Sequence, residues 1–185
     1  VRASNLTTIS ENNHPSAIGS WADSPWDTRN INYKTARIHF LLGKGKEHAQ
    51  NYQKLYQEME SQFFFKGYEY ILFRVNTSDL VGSQTAQDNG FQLVDGLLTL
   101  AWLGKRQAEP IVNVRSALET DLSAVKEIAR TSFIFDRFHT DPVIPNSVAD
   151  ELHAKWIYDS FIKNPDERIL VAEDNQKIIG FLSYS

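Results

Sequence analysis

The chain contains no cysteine. Disulfides, zinc–thiolate centres, iron–sulfur clusters and thiol nucleophiles are therefore excluded, and the composition fits a reducing compartment, the cytoplasm. No apolar run approaches the roughly 18 residues of a membrane span. Positive charge is not in excess: 19 basic residues stand against 23 acidic ones, for a net charge of -4. A protein that grips phosphates along a nucleic acid is normally basic, so neither nucleic acid nor an anionic membrane is an expected partner. The opening Val1-Arg2-Ala3 has no initiator Met and no basic-then-apolar leader, and the chain reads as a trimmed sequence or an internal fragment. What is present is ordinary for a globular protein: 185 residues, 42% apolar and 23% charged. That suffices for one domain or for two small ones.

Residues 1 to 24 are rich in Ser, Asn and Thr and read as a weakly docked polar arm. The run Ala36 to Leu42 predicts a strand bounded by Gly43. Tyr52, Leu55, Tyr56, Met59 and Phe63 follow at the spacing of one helical face, and Gly67 suits a left-handed terminator. Tyr70 to Val75 predicts a buried strand, and Ser78 is placed to cap a weaker helix ending at Asn89-Gly90. Asp95-Gly96 between Phe91–Val94 and Leu97–Leu103 predicts a two-residue hairpin. A first half over 25–104 is thus expected, then a polar linker over 105–110.

The second half, 111–185, opens with a strand, Ile111 to Arg115. Thr120 or Asp121 caps a helix with Leu122, Val125, Ile128 and Ala129 on its apolar face. A loop from about Ile134 to Pro145 separates it from a helix opened by Ser147, with Val148, Leu152 and Trp156 on one face and Asp150 placed for an imperfect capping box. Asn164-Pro165 ends that helix. Ile169–Ala172 and Ile178–Tyr184 are the closing strands. The expected class is α/β (α+β), with mixed sheets flanked by helices.

No G-x-S-x-G elbow, Walker loop, H-E-x-x-H or dinucleotide fingerprint is present. Gly43-Lys44-Gly45-Lys46, between a strand and a helix, reads either as an anion cradle or as a tight turn with solvated lysines. The most unusual segment is Phe133-Ile134-Phe135-Asp136-Arg137-Phe138-His139-Thr140-Asp141-Pro142. Its aromatics can wall a cleft, Arg137 can fork onto a phosphate or carboxylate, and His139 can move a proton near neutral pH. Equally, the phenylalanines can be core anchors and Arg137 can pair with Asp136 or Asp141. His139 and Asp141 lack a recognisable third ligand, so no metal is expected. Glu173 beside a turn is either a base or a solvated carboxylate. His14, His39, His48 and His153 stand alone, and the four tryptophans read as core or interface residues.

Three stretches carry a family resemblance. Val114-Arg115-Ser116-Ala117, Asp121-Leu122, Val125 and Ile128-Ala129 resemble the opening strand and helix of the GCN5-related N-acetyltransferase (GNAT) superfamily. Ile169 to Asp174 and Lys177 to Phe181 are similar to its second and third strands. The Phe133–Pro142 segment, followed by Ala149-Asp150 and Trp156, resembles bacterial TDP-fucosamine acetyltransferases, in which a GNAT-like N-terminal half precedes the catalytic domain. Residues 26 to 103 resemble that half, including Asp88-Asn89-Gly90-Phe91.

The resemblance implies transfer of an acetyl group from acetyl-CoA to a small-molecule primary amine, on a nucleotide-linked amino sugar. It implies Phe135, Arg137, Phe138 and His139 on the acceptor side, and Leu182, Ser183 and Tyr184 bordering the donor. The family's pyrophosphate loop, R/Q-x-x-G-x-G/A after a fourth strand, is missing, and so is its late tyrosine acid. A circular permutant could use Phe40 to Gly45 as that loop. Its linker of residues 104–110 reaches at most about 25 Å, a marginal span across strands about 4.8 Å apart. The alternative is a GNAT-like module that binds a ligand or partner without catalysis. An open edge on the last strand is expected to recruit a second chain, as in a homodimer.

Overall fold

The computed structural model describes residues 4–43, 48–101, 103–104, 112–163 and 166–184. Lys44 to Glu47, within the glycine–lysine turn, lie outside the described residues, as do Trp102, the linker 105–110 with Ile111, and Asn164-Pro165. The chain divides into two compact units, Val1–Gln92 and Leu93–Ser185.

In the first unit, β1 (Asn5–Glu11) and β2 (His14–Asp23) form an antiparallel hairpin. Here the sequence reading of a polar arm is corrected. Asn12 and Asn13 both take left-handed φ, 50° and 63°, the conformation of a type I′ turn, which asparagine tolerates. The hairpin has an inward face: Thr7, Ala17 and Trp21 are buried, Trp21 completely. Helix α1 (Pro25–Ile31) leads to β3 (Thr35–Gly43), which pairs antiparallel with β2. Arg37 of β3 reaches back to the buried Asp27 of α1 at 3.1 Å, and Ser24 donates to the same carboxylate.

Helix α2 (His48–Phe65) lays Leu55, Tyr56, Met59 and Phe63 on the sheet against Ala17, Trp21, Ile38 and Leu41. Its stripe is the one that the spacing predicts. Gly67, at φ 69°, ends it with Tyr68 N–H bonded to Phe63 O and Gly67 N–H to Phe64 O, a left-handed helix stop. β4 (Tyr70–Phe73) pairs parallel with β3, completing the order β1-β2-β3-β4. Helix α3 (Leu80–Asp88) is capped by Asp79, whose carboxylate accepts from Gly82 N–H at 2.8 Å. Ser78, the predicted cap, instead bonds Asn76.

The predicted hairpin around Asp95-Gly96 is absent. Residues 91–101 carry no regular structure, and Leu93, Leu97, Leu98 and Leu100 are exposed. A turn signal is local, whereas a two-stranded hairpin holds only when one face finds something to cover it.

The second unit contains β5 (Asn113–Ser116), a 3-10 turn (Glu119–Asp121), α4 (Leu122–Ser132), α5 (Arg137–Thr140), α6 (Asn146–Lys163), β6 (Arg168–Asp174) and β7 (Lys177–Tyr184). The strands pair antiparallel in the order β5-β6-β7. Val125 and Ala129 of α4, Ile157 of α6 and Val171 of β6 are fully buried together, with Phe133, Trp156 and Phe181 packed around them. Arg115 ties three elements: two bonds to Asp121, at 2.6 and 3.0 Å, and one to Glu173 at 2.9 Å. Among the described residues no strand lies along the outer edge of β7, and no helix is long and apolar enough to cross a membrane. The mixed α/β class is the one that the sequence predicts.

Candidate functional site

The connector between α4 and α6 is built around Asp136. Its Oδ1 accepts the backbone N–H groups of Phe138 at 3.0 Å and His139 at 2.9 Å, which caps the single turn of α5. The same oxygen faces His139 Nδ1 at 2.9 Å. The other oxygen, Oδ2, is hydrogen-bonded to His153 Nε2 of α6. His139 Nε2 in turn lies 3.0 Å from Asp150 Oδ1. Four side chains thus form one string: Asp150, His139, Asp136, His153.

The two imidazoles are shielded from water, with side-chain exposures of 7% for His139 and 9% for His153, while Asp136 and Asp150 are partly exposed, at 22% and 39%. Burial alone pushes the His139 imidazole down. Its bonds to Asp150 and Asp136 outweigh that and hold it above the ordinary histidine value. Burial alone raises the Asp136 carboxyl. The His139 N–H and the two imidazoles reverse this and hold it below the usual carboxylate range. An imidazole set between two carboxylates satisfies both best with a hydrogen on each nitrogen.

Aromatic rings fix the geometry. His139 and His153 lie parallel, 5.8 Å between centroids. Phe133 stacks on His153 at 4.7 Å, and Phe138 meets it edge-on at 6.0 Å. Phe133 also touches Trp156 of α6 and Phe181 of β7, each at 6.2 Å. The start of the connector is thereby anchored both to α6 and to the last strand.

The predicted acceptor-side residues are distributed unevenly. Phe135 is 88% exposed and Phe138 is buried. The Arg137 guanidinium sits 4.0 Å over the Phe138 ring. His139 has both ring nitrogens engaged within the protein. Asp141 is buried and closes a local turn, its carboxylate accepting from Val143 N–H at 2.9 Å. Asp150, expected in a capping box, instead accepts from His139 Nε2. Glu173 is ion-paired to Arg115. Leu182, Ser183 and Tyr184 lie on β7, opposite Leu170, Ile169 and Arg168 of β6. A groove of about 550 Å³ between α4 and α6, lined by Thr120, Lys126 and Tyr158 among others, includes none of these residues.

The sequence reading missed Asp136 as the hub and His153 as its partner. The signal available was the spacing on α6: His153 shares the buried face of Ala149, Leu152, Ile157 and Ser160, and a histidine at a core position needs a polar partner. Asp136, His139 and His153 also form a group whose ligand atoms all lie within 4.8 Å of one another.

No family model matches the chain. Its fold has likenesses among solved structures. An aminoglycoside acetyltransferase, meta-AAC0020, from an uncultured soil metagenomic sample in complex with sisomicin aligns over 55% of this chain and 66% of its own, at 13% identity and TM-score 0.45. The ribosomal-protein-alanine N-acetyltransferase of Brucella melitensis biovar Abortus 2308 aligns over 54% of this chain and 72% of its own, at 8% identity and TM-score 0.41. Wild-type TTHA1254 of Thermus thermophilus aligns over 55% and 72%, at 14% identity and TM-score 0.43. By sequence, the chain is similar to the spore coat polysaccharide biosynthesis protein SpsD of Bacillus subtilis (strain 168), 24% identical over 179 residues. That match covers 93% of this chain and 59% of SpsD, so the chain spans about three-fifths of the length of the curated relative it matches.

Proposed function

We propose that the protein is a GNAT-type N-acetyltransferase that moves an acetyl group from acetyl-CoA to a primary amine, on an amino sugar carried by a nucleotide. The observation that carries this reading is the joint made by Phe133. It fastens the aromatic–arginine connector to β7, the strand whose outer edge is unpaired among the described residues, within one unit. In this reading the connector faces the acceptor. Phe135 offers an exposed ring to stack on a sugar or base, and Arg137 offers its charge to the nucleotide phosphates. Phe138 and His139 hold the connector in shape from inside.

The pantetheine arm of acetyl-CoA carries amides and extends like a strand, which suits an unpaired strand edge at Leu182 to Tyr184. The amine attacks the thioester carbonyl, the C–S bond breaks, and the thiol of CoA leaves. The amine must be neutral to attack, so its proton passes to a base or a water first. The relationship to a polysaccharide biosynthesis protein supports a sugar amine over a peptide amine.

The test is acetyl transfer by the complete gene product, followed as CoA thiol release in the presence of nucleotide-linked amino sugars, free amino sugars and peptide N-termini. Phe135→Ala and Arg137→Ala should raise KM for the amine and leave KM for acetyl-CoA unchanged. Transfer to peptides alone would overturn the sugar acceptor. Failure to bind acetyl-CoA would overturn the enzyme and favour a non-catalytic binding module.

A further inference from the structure

We propose that Asp136, His139 and His153 are the protein ligands of a divalent transition-metal ion, with Zn2+ as the ion their chemistry fits best. The inference does not depend on acetyl transfer. Each of the three offers one ligand atom, an Asp136 carboxylate oxygen and one ring nitrogen from each histidine, and these atoms all lie within 4.8 Å of one another; His139 Nδ1 and His153 Nε2 are the nitrogens turned to the carboxylate. Two atoms that both coordinate zinc at about 2.0–2.1 Å with tetrahedral angles stand about 3.3 Å apart. The observed 2.9 Å between His139 Nδ1 and Asp136 Oδ1 is within a few tenths of that. An ion here takes the place of the hydrogens that the two imidazoles direct at the shared carboxylate.

A second observation, separate from the cluster itself, concerns Asp150. Its carboxylate holds the far nitrogen of His139 at 3.0 Å. A metal-ligating histidine characteristically donates its other N–H to a carboxylate, which fixes the ring and leaves the near nitrogen for the ion. Asp150 sits one turn before His153 on α6, so a single helix supplies both a ligand and the group that orients another ligand. The rings of Phe133 and Phe138 wall His153 and keep the surroundings apolar, which strengthens the attraction between cation and carboxylate. Two imidazoles and one carboxylate suit zinc; magnesium and calcium prefer all-oxygen shells. Three protein ligands leave one tetrahedral position for water or a bound molecule.

The experiment uses the intact chain, freed of metal by chelation and titrated with ZnSO4 by calorimetry, with MgCl2 as comparison. One Zn2+ per chain is expected, with a rise in melting temperature and no detectable Mg2+ binding. Co2+ substituted for Zn2+ should give an absorption band of tetrahedral intensity. His153→Gln and Asp136→Asn should abolish binding and the Co2+ band. Asp150→Asn should weaken binding by about 10–100-fold, and His14→Ala, on the exposed end of β2, should leave it unchanged. Far-UV circular dichroism of the metal-free variants separates lost binding from lost fold. Should His153→Gln fail to fold, Asp150→Asn decides. No stoichiometric Zn2+ binding by the parent chain, or binding that survives both Asp136→Asn and Asp150→Asn undiminished, would overturn the proposal.

Discussion

Gly19 sits in β2 with its α-carbon against α2, and adding one methyl group there tests whether the first hairpin belongs to the core. A Cβ at this position would lie 2.3 Å from Met59 Cε, 3.0 Å from Leu55 Cδ2 and 3.1 Å from Leu41 Cδ2. Met59 and Leu55 are fully buried and Leu41 nearly so. The methionine end must swing aside, and the leucines must each give by a few tenths of an ångström. Overpacking of this kind costs about 1–3 kcal/mol. We take about 2 kcal/mol, a factor of roughly 30 in the folding equilibrium.

Urea denaturation followed by circular dichroism should show the midpoint falling at constant slope. Gly180→Ala is the matched control, since its Cβ would only touch Ala172 Cβ at 4.0 Å, and it should stay within about 0.5 kcal/mol of the parent. Met59→Ala in the Gly19→Ala background should reveal a coupling of about 0.5–3 kcal/mol, because the two sites share one volume. If Gly19→Ala matches the control, residues 5–23 do not pack on α2 and the reading of unit one is wrong.

Other outcomes follow from particular contacts. Asn13→Val places a β-branched residue at φ 63° and should cost about 1–2 kcal/mol, read by the same denaturation. Phe133→Ala removes the ring that joins His153, Trp156 and Phe181. It should cost about 3 kcal/mol and raise KM for the amine beyond what a remote core substitution of equal cost does. The Asp121 carboxyl is held below its usual value by the Arg115 hydrogen bonds and the Leu118 N–H. A depressed carboxylate contributes stability that is fully present above its unfolded value, near ~3.9, and that is lost as pH falls through the folded value. Melting temperature should therefore drop on acidification below about pH 4, and Arg115→Met should flatten that acid limb while lowering stability at neutral pH.

Much of the fold is legible where one element carries its own pattern. The stripe of Tyr52, Leu55, Tyr56, Met59 and Phe63 names α2 and its buried face because helical spacing is a property of one segment. The β3 strand and the Gly67 stop are readable for the same reason. The first hairpin escapes because its inward positions mix Thr7, Ala17 and Gly19 with the apolar Ile9 and Trp21, an irregular pattern that marks a close-packed face only once α2 lies upon it. Asn12-Asn13 is a turn signal easily lost in a polar stretch. The opposite error occurs at Asp95-Gly96, where strong local turn chemistry is flanked by exposed leucines in irregular backbone. At the candidate site, the aromatic–arginine–histidine connector is visible as composition. Its hub is not, because Asp136 and His153 are brought together only by the docking of α5 on α6. Asp150 likewise looks like a capping residue until a histidine from another element reaches it.

The proposed activity is delivery of the acetyl group of acetyl-CoA to an amine held by the connector. Its most direct measurement is thiol release from acetyl-CoA, titrated with an aromatic disulfide reagent; these 185 residues contain no cysteine and add no background of their own to that signal. With the complete gene product and nucleotide-linked amino sugars, stoichiometric CoA release with a matching gain of acetyl mass on the sugar amine is predicted, reduced by Arg137→Ala through KM for the amine. Acetyl-CoA that remains intact with every amine offered, in a protein that is folded, would rule that activity out.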